Sequence, residues 1–221
     1  MPTRHRAILI LSALCLLAVG SFMLALMVGS FKVAPADVLA TLFGQEGSGG
    51  EVVIELRLPR AIAGFACGGL LALAGALMQV LLRNPLADPY VLGISGGAGV
   101  GAMFAILIGL PVLGIDGLAF LGALGAMFIV FGLAHGDGSW TQTRLLLTGV
   151  IVAAGCGALV ALMLAIAEEH KLRGTLFWLM GDLGQSSQWW PPLLALGVAL
   201  VFAMPFAREL NLLARGMMQA Q

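Results

Sequence analysis

The sequence predicts an all-α polytopic membrane protein, and three observations carry that prediction. Of 221 residues, 60% are hydrophobic and only 10% charged, with a mean hydropathy of +1.03. A soluble domain carries about 25% charged residues, so this chain could not cover a water-facing surface. Uncharged runs long enough to cross about 30 Å of hydrocarbon recur along it. Small residues repeat at four-residue spacing within two of those runs, which gives helices a means of packing in lipid. Eleven basic and eleven acidic residues cancel, so there is no electrostatic footprint for nucleic acid.

The spans are read in order as residues 7–31, 61–82, 90–115, 117–134, 145–167 and 189–207, about six in all. The first follows a basic head (Arg4, His5, Arg6) and superficially resembles a secretion signal. Its apolar run from Ala7 to Phe31 is far longer than the roughly 7–15 residues of a signal core, so it reads as a membrane helix. Only Asp116–Gly117 separates the third span from the fourth, which predicts a tight hairpin or a broken helix pair there. The sixth opens with "WWPPLL": Trp189 and Trp190 suit an interfacial aromatic belt, and two prolines suit a helix start.

Orientation is not decided by charge. With the N-terminus inside, the inner segments hold Arg4, Arg6, Arg83, Arg144, Arg208 and Arg215, and the outer ones Lys32, Arg57, Arg60, Lys171 and Arg173. The small-residue rows are Gly64, Gly68, Ala72 and Ala76 in the second span, and Gly93, Gly97, Gly101, Ala105 and Gly109 in the third. Cys15, Cys67 and Cys156 lie far apart in apolar segments and read as small packed hydrophobes. His5, His135 and His170 are scattered, and no metal or cofactor site is expected.

The passage "RNPLADPYVLGISGGAGVGA" (83–102) stands apart from its surroundings. Pro85 and Pro89 disfavour helix at Asn84 and Asp88, so the chain must turn there, and Arg83 and Asp88 put that turn at a membrane–water boundary. A polar turn at membrane depth survives only where protein or a water-filled cavity surrounds it. It reads either as an ordinary loop or as an elbow beside a channel.

"LRLPRAIAGFACGGLLALAGALMQVLLRNPLADPYVLGISGGAGVGA" (56–102) resembles the signature region of FecCD-type permeases. These are the membrane subunits of ATP-binding-cassette importers for ferric siderophores, haem and cobalamin. The likeness continues in order through "LLLTGVIVAA" (145–154), "FWLMGDLGQSSQWW" (177–190) and "LNLLARG" (210–216). It implies a ten-helix ABC importer permease fold, of which about six helices are expected here, the chain ending inside the cytoplasmic coupling loop that opens at residue 208. A natural truncation or a piece of a longer protein would both look like this. The family's later outward-facing arginine has no counterpart in the chain.

The resemblance also implies roles. Arg57 and Arg60 match outward-facing positions that pair with glutamates of a substrate-binding protein, periplasmic or lipid-anchored. A guanidinium fork suits that pairing, although the same residues could simply anchor a helix end at headgroups. Asn84 and Leu86 match positions that narrow the cytoplasmic end of the pathway; Thr141 and Thr143 fall near a second constriction. Leu210 and Leu212 would be apolar anchors on a separate ATPase subunit, with Asn211, Arg215 and Gly216 beside them. A second permease copy completes the implied assembly, with the N-terminus cytoplasmic and the helices in the bacterial inner membrane.

The expected function is therefore transport of an iron–siderophore-like chelate. No "GxxxxGK[ST]" occurs in the chain, so ATP is expected to be hydrolysed by the partner, and the chain is not expected to be an enzyme. Two rivals remain: a secondary transporter, which usually carries ionisable residues in mid-span, and a non-transporting permease fragment. The six spans as bounded above contain no Asp, Glu, Lys, Arg or His.

Overall fold

Hydrocarbon offers backbone N–H and C=O groups no partner, so a chain of this composition must close its hydrogen bonds within helices. The computed structural model describes residues 4–45, 49–135, 141–181, 183–185 and 188–215, and every element it describes is helical. In order these are α1 (Arg4–Met27), α2 (Pro35–Leu42), a π turn (Val52–Arg57) running into α3 (Leu58–Leu81), and a 3-10 turn (Pro89–Leu92). Then come α4 (Ile94–Leu107), α5 (Val112–Ala134), α6 (Gln142–Ile166), α7 (Glu169–Met180), a 3-10 turn (Leu183–Gln185) and α8 (Trp190–Ala203). A last 3-10 turn (Met204–Phe206) leads into α9 (Ala207–Arg215). Among the described residues, five helices are long and apolar enough to span a bilayer: 4–27, 52–81, 112–134, 142–166 and 190–213.

The third span differs from its expected bounds. Residues 90–115 are not one helix: α4 has 14 residues, about 21 Å at 1.5 Å per residue, short of a full crossing. The break before α5 falls at Gly109–Leu110–Pro111, not at Asp116–Gly117. Leu110 N–H bonds Ala105 C=O and Gly109 N–H bonds Ile106 C=O, with Gly109 left-handed at φ +76°, which is a Schellman end. Pro111 then opens α5. Asp116 consequently lies one turn inside α5, on an exposed face, so the fourth helix is not free of ionisable residues.

The described residues fall into two compact units. One comprises residues 71–182 and 205–221, and its centre is α4 packed on α5 and α6. The contact is between backbones: a Cβ on Gly97 would overlap the Gly122 carbonyl, and one on Gly101 would overlap that of Leu118. A Cβ on Gly149 of α6 would likewise overlap the Val91 carbonyl in the 3-10 turn. Leu82, Leu92, Val130, Ala134 and Leu145 close one end of this unit as an apolar cluster. Gly93 also lies against α6, where a Cβ would stand 3.1 Å from Ala153 N, and at φ +69° it joins the 3-10 turn to α4. Glycine is needed there because the left-handed region penalises any Cβ.

The other unit comprises residues 1–70 and 183–204. Leu26, Val33, Val38 and Val53 form its buried cluster, bringing α1, α2 and the π turn together. Otherwise α1 faces outward, with Leu16 73% exposed, which suits lipid and would not suit water. The small-residue row of the second span is only partly used. Gly64 faces Leu183 and Gly69 faces Leu196, while nothing lies near Gly68.

Replacing Gly101 with Ala should therefore destabilise the protein by about 1–3 kcal/mol through backbone overlap. Gly125→Ala, on the same helix pair but in open space, should cost nothing. Thermal unfolding in detergent checks the pair, and equal stability of the two variants would refute backbone contact as the packing determinant.

Candidate functional site

A helix ends with four carbonyls lacking intrahelical partners and with the negative end of its dipole. At the end of α1 two of these are met by Arg57. Its Nη1 donates to the carbonyls of Leu26 (2.8 Å) and Met27 (3.0 Å), and its Nη2 donates to that of Phe31. The chain at 28–31 curls round the guanidinium so closely that a Cβ on Gly29 would stand 2.8 Å from Nη2. Arg57 is half-buried and clamps its own chain. Arg60, one turn further, is exposed and donates from Nη2 to Gly184 O at 3.0 Å. Both arginines border a cleft of about 810 Å³ with walls that include Phe22, Ala25, Phe65 and Leu183. Arg60 is thus the more exposed of the pair.

The turn at 82–88 is built from local bonds. Asn84 Oδ1 accepts from Leu86 N–H (2.9 Å), and Asp88 Oδ1 accepts from Tyr90 N–H (2.7 Å), capping the 3-10 turn. Arg83 is the one non-glycine described with positive φ, at +45°, a strained conformation for a residue with a Cβ. Leu86 is 87% exposed. Thr141 caps α6, its hydroxyl accepting from Arg144 N–H at 3.3 Å, and Thr143 is exposed in the first turn. These two stretches border the same apolar cluster: residues 84–86 follow Leu82 and residues 141–143 precede Leu145, and both leucines belong to it. Both stretches thus lie at the end of this unit where α4 starts, α5 ends and α6 starts.

The opposite end of α4 holds a contact that sequence reading missed. Lys171 Nζ donates to Leu107 O at 2.9 Å, near Glu168 at 3.9 Å, and Thr175 Oγ1 returns to Lys171 O. A lysine after "EEH" carries no signal of what it will cap; only the approach of α7 to α4 reveals it.

On α9, the expected coupling residues divide between faces. Leu210 is half-buried and, with Leu213, lines an apolar cleft of about 410 Å³ against Leu77, Met78, Leu81 and Arg83 at the end of α3. Asn211 is exposed and Leu212 is 44% exposed. Arg215 ends α9, and Gly216 lies outside the described residues. Arg208, unassigned from sequence, is exposed too. No group of three or more His, Cys, Asp or Glu able to hold a metal occurs among the described residues.

The comparisons with known proteins agree along the chain. The profile of the FecCD transport family matches residues 7–221. The chain is 38% identical over 180 residues to the cobalamin import system permease protein BtuC of Halobacterium salinarum, covering 79% of this chain and 48% of that protein. It is 36% identical over 214 residues to the vitamin B12 import system permease protein BtuC of Klebsiella pneumoniae, covering 96% and 62%. Among solved structures it is similar to an inward-facing metal-chelate type ABC transporter, with a TM-score of 0.74 and 28% identity over 96% of this chain and 65% of that one. The chain thus spans between about half and two-thirds of the length of these relatives.

Removing the clamp should loosen the reversal after α1. Arg57→Leu leaves three carbonyls without their charged donor, a loss of about 1.5–3 kcal/mol per strong bond at most. Protease nicking between residues 28 and 33 in detergent should rise, while Arg60→Leu leaves it unchanged. Equal protection of both variants would contradict the clamp.

Proposed function

Because the chain belongs to the FecCD transport family, we propose that it forms part of the pathway wall in an ATP-driven importer of bulky metal chelates. The match of the family profile across residues 7–221 carries this reading. Its relatives' names point to cobalamin, so a corrin chelate is the favoured cargo and an iron–siderophore complex the lesser one.

The chain performs no covalent step. Its helices hold a passage, and its polar turns open or close it. The exposed Leu86 and the Asx-turned Asn84 would narrow one end of the passage, helped by the stretch at Thr141–Thr143. Arg60 would meet carboxylates of a substrate-binding protein at the other end, its fork of donors fixing register and speeding encounter. Arg57 would contribute indirectly, by holding the cleft wall beside Arg60. A separate ATPase would push on α9 and shift the helices as bodies between outward- and inward-open states. A second permease copy would complete the wall, in the plasma membrane and with the N-terminus cytoplasmic.

The test is uptake by a host lacking its own chelate permeases, supplied with the complete gene and its ATPase and binding-protein partners. Labelled cobalamin should accumulate, and an inactivated ATPase should abolish it. Ferric siderophore uptake in place of cobalamin would reassign the cargo; no uptake of either would overturn the function. Arg60→Glu should slow uptake by about tenfold at limiting binding protein, as like charges now face each other. Unchanged uptake would remove Arg60 from the docking surface.

A further inference from the structure

The cleft beside Arg57 and Arg60 lies wholly within the unit of residues 1–70 and 183–204 and follows the seam between α1 and α3. Phe22, Ala25 and Val28 line it from α1, and Ala61, Gly64 and Phe65 from α3. Residues three or four apart share one face of a helix, so each wall is a single face. Its height in the membrane follows from the clamp. Arg57 binds the carbonyls of Leu26 and Met27, which puts the mouth of the cleft at the end of α1. That helix has 24 residues and is apolar enough to span, so its end stands at the headgroups. The rise from Arg57 to Phe65 is about 12 Å at ~1.5 Å per residue, against about 15 Å of hydrocarbon in one leaflet.

Charge and apolar surface are separated along that depth. Arg57 and Arg60 donate only to neutral carbonyls, and no carboxylate pairs with either among the described residues. Asp37, Glu51 and Glu55, the acidic residues nearest in sequence, do not line the cleft. Ser21, the polar residue at the deep end, spends its hydroxyl on Ala18 O. We propose that the cleft holds one anionic phospholipid, its phosphate on Arg60 and one acyl chain between α1 and α3. The charge selects a phosphate, because a guanidinium binds it by short charge-assisted bonds, and Arg60 keeps donors beyond the one given to Gly184. The depth selects a lipid. A soluble anion could meet Arg60 at the mouth but has nothing to place on the apolar walls below. The volume of about 810 Å³ lies within the roughly 300–1,000 Å³ of small-molecule sites. Bound there, the lipid ties α1 to α3. Leu26 is the one buried residue described on α1, so protein holds that helix only at its end, and the acyl chain adds contact along the turns before it.

The experiment uses the complete protein, purified in detergent and stripped of lipid, with phosphatidylglycerol, phosphatidylcholine or inorganic phosphate added. It reads bound lipid by native mass spectrometry and the temperature of unfolding. Phosphatidylglycerol should stay bound and raise that temperature, phosphatidylcholine should bind about tenfold more weakly, and inorganic phosphate should leave the temperature unchanged. Arg60→Gln should weaken phosphatidylglycerol about tenfold and leave phosphatidylcholine as it was. Ala25→Phe fills the cleft from an exposed position and should weaken both lipids. Leu16→Phe, exposed on the opposite side of α1, should change neither, which separates filling the cleft from adding bulk to a lipid-facing helix.

Equal affinity for the two lipids, or full binding of phosphatidylglycerol by Arg60→Gln, overturns the phosphate on Arg60. Full binding by Ala25→Phe overturns the acyl chain in the cleft. Stabilisation by inorganic phosphate equal to that by phosphatidylglycerol makes this a soluble-anion site and overturns the lipid. An unaltered protein that retains no lipid overturns the site as a whole and leaves the cleft to a second copy or another chain. None of these readouts involves transport, so failure of the uptake experiment above leaves the lipid site standing.

Discussion

The structure depends on how a backbone is satisfied and approached in a medium that neither hydrates it nor drives helices together. Lipid tails are as apolar as leucine, so burying one helix against another gains little from hydrophobicity. What remains is close van der Waals contact and the bonding of helix-end carbonyls. The protein uses both. Gly97 and Gly101 bring the α4 backbone against the carbonyls of Gly122 and Leu118 on α5. Arg57 binds the carbonyls that end α1, and Lys171 binds one that ends α4. Each contact ties a side chain, or the absence of one, to main chain.

This explains why α4 can be short. A helix of 14 residues falls short of the bilayer and would leave its ends exposed to hydrocarbon. Here its start is held by the left-handed hinge at Gly93 and the capped 3-10 turn before it, and its end by a Schellman closure and a lysine. Both ends are served by protein, and the polar turn at 82–88 lies beside such an end. The irregular backbone at 82–88 is thus supported by the same packing that holds the helix.

Charged side chains divide into two kinds in consequence. Arg57 and Lys171 are half-buried on carbonyls at or just beyond helix ends, whereas Arg60, which reaches Gly184 O from the surface, and Arg208 are exposed. Sequence treats the members of each pair alike. "RLPR" shows two arginines three residues apart, and nothing in that spacing says which one curls back on α1. The same holds on α9, where Leu210 and Leu212 look equivalent until one lies in a cleft and the other outside it.

By itself the sequence determined the helical membrane class, the positions of four of the long helices, the turn at Asn84–Asp88 and membership of an ordered family pattern. Those are properties of composition, run length and proline placement, all local. It left unread the break at Gly109–Pro111, although "GLP" is a legible stop and start, because the charged Asp116 drew the boundary seven residues late. Tertiary structure alone decided which glycines of a row touch a neighbour, as Gly97 does and Gly68 does not. It also decided which carbonyl a given cation reaches. The physical reason is common to both: a four-residue period fixes a face of a helix, but only the partner helix, arriving from far along the chain, fixes how near that face is approached.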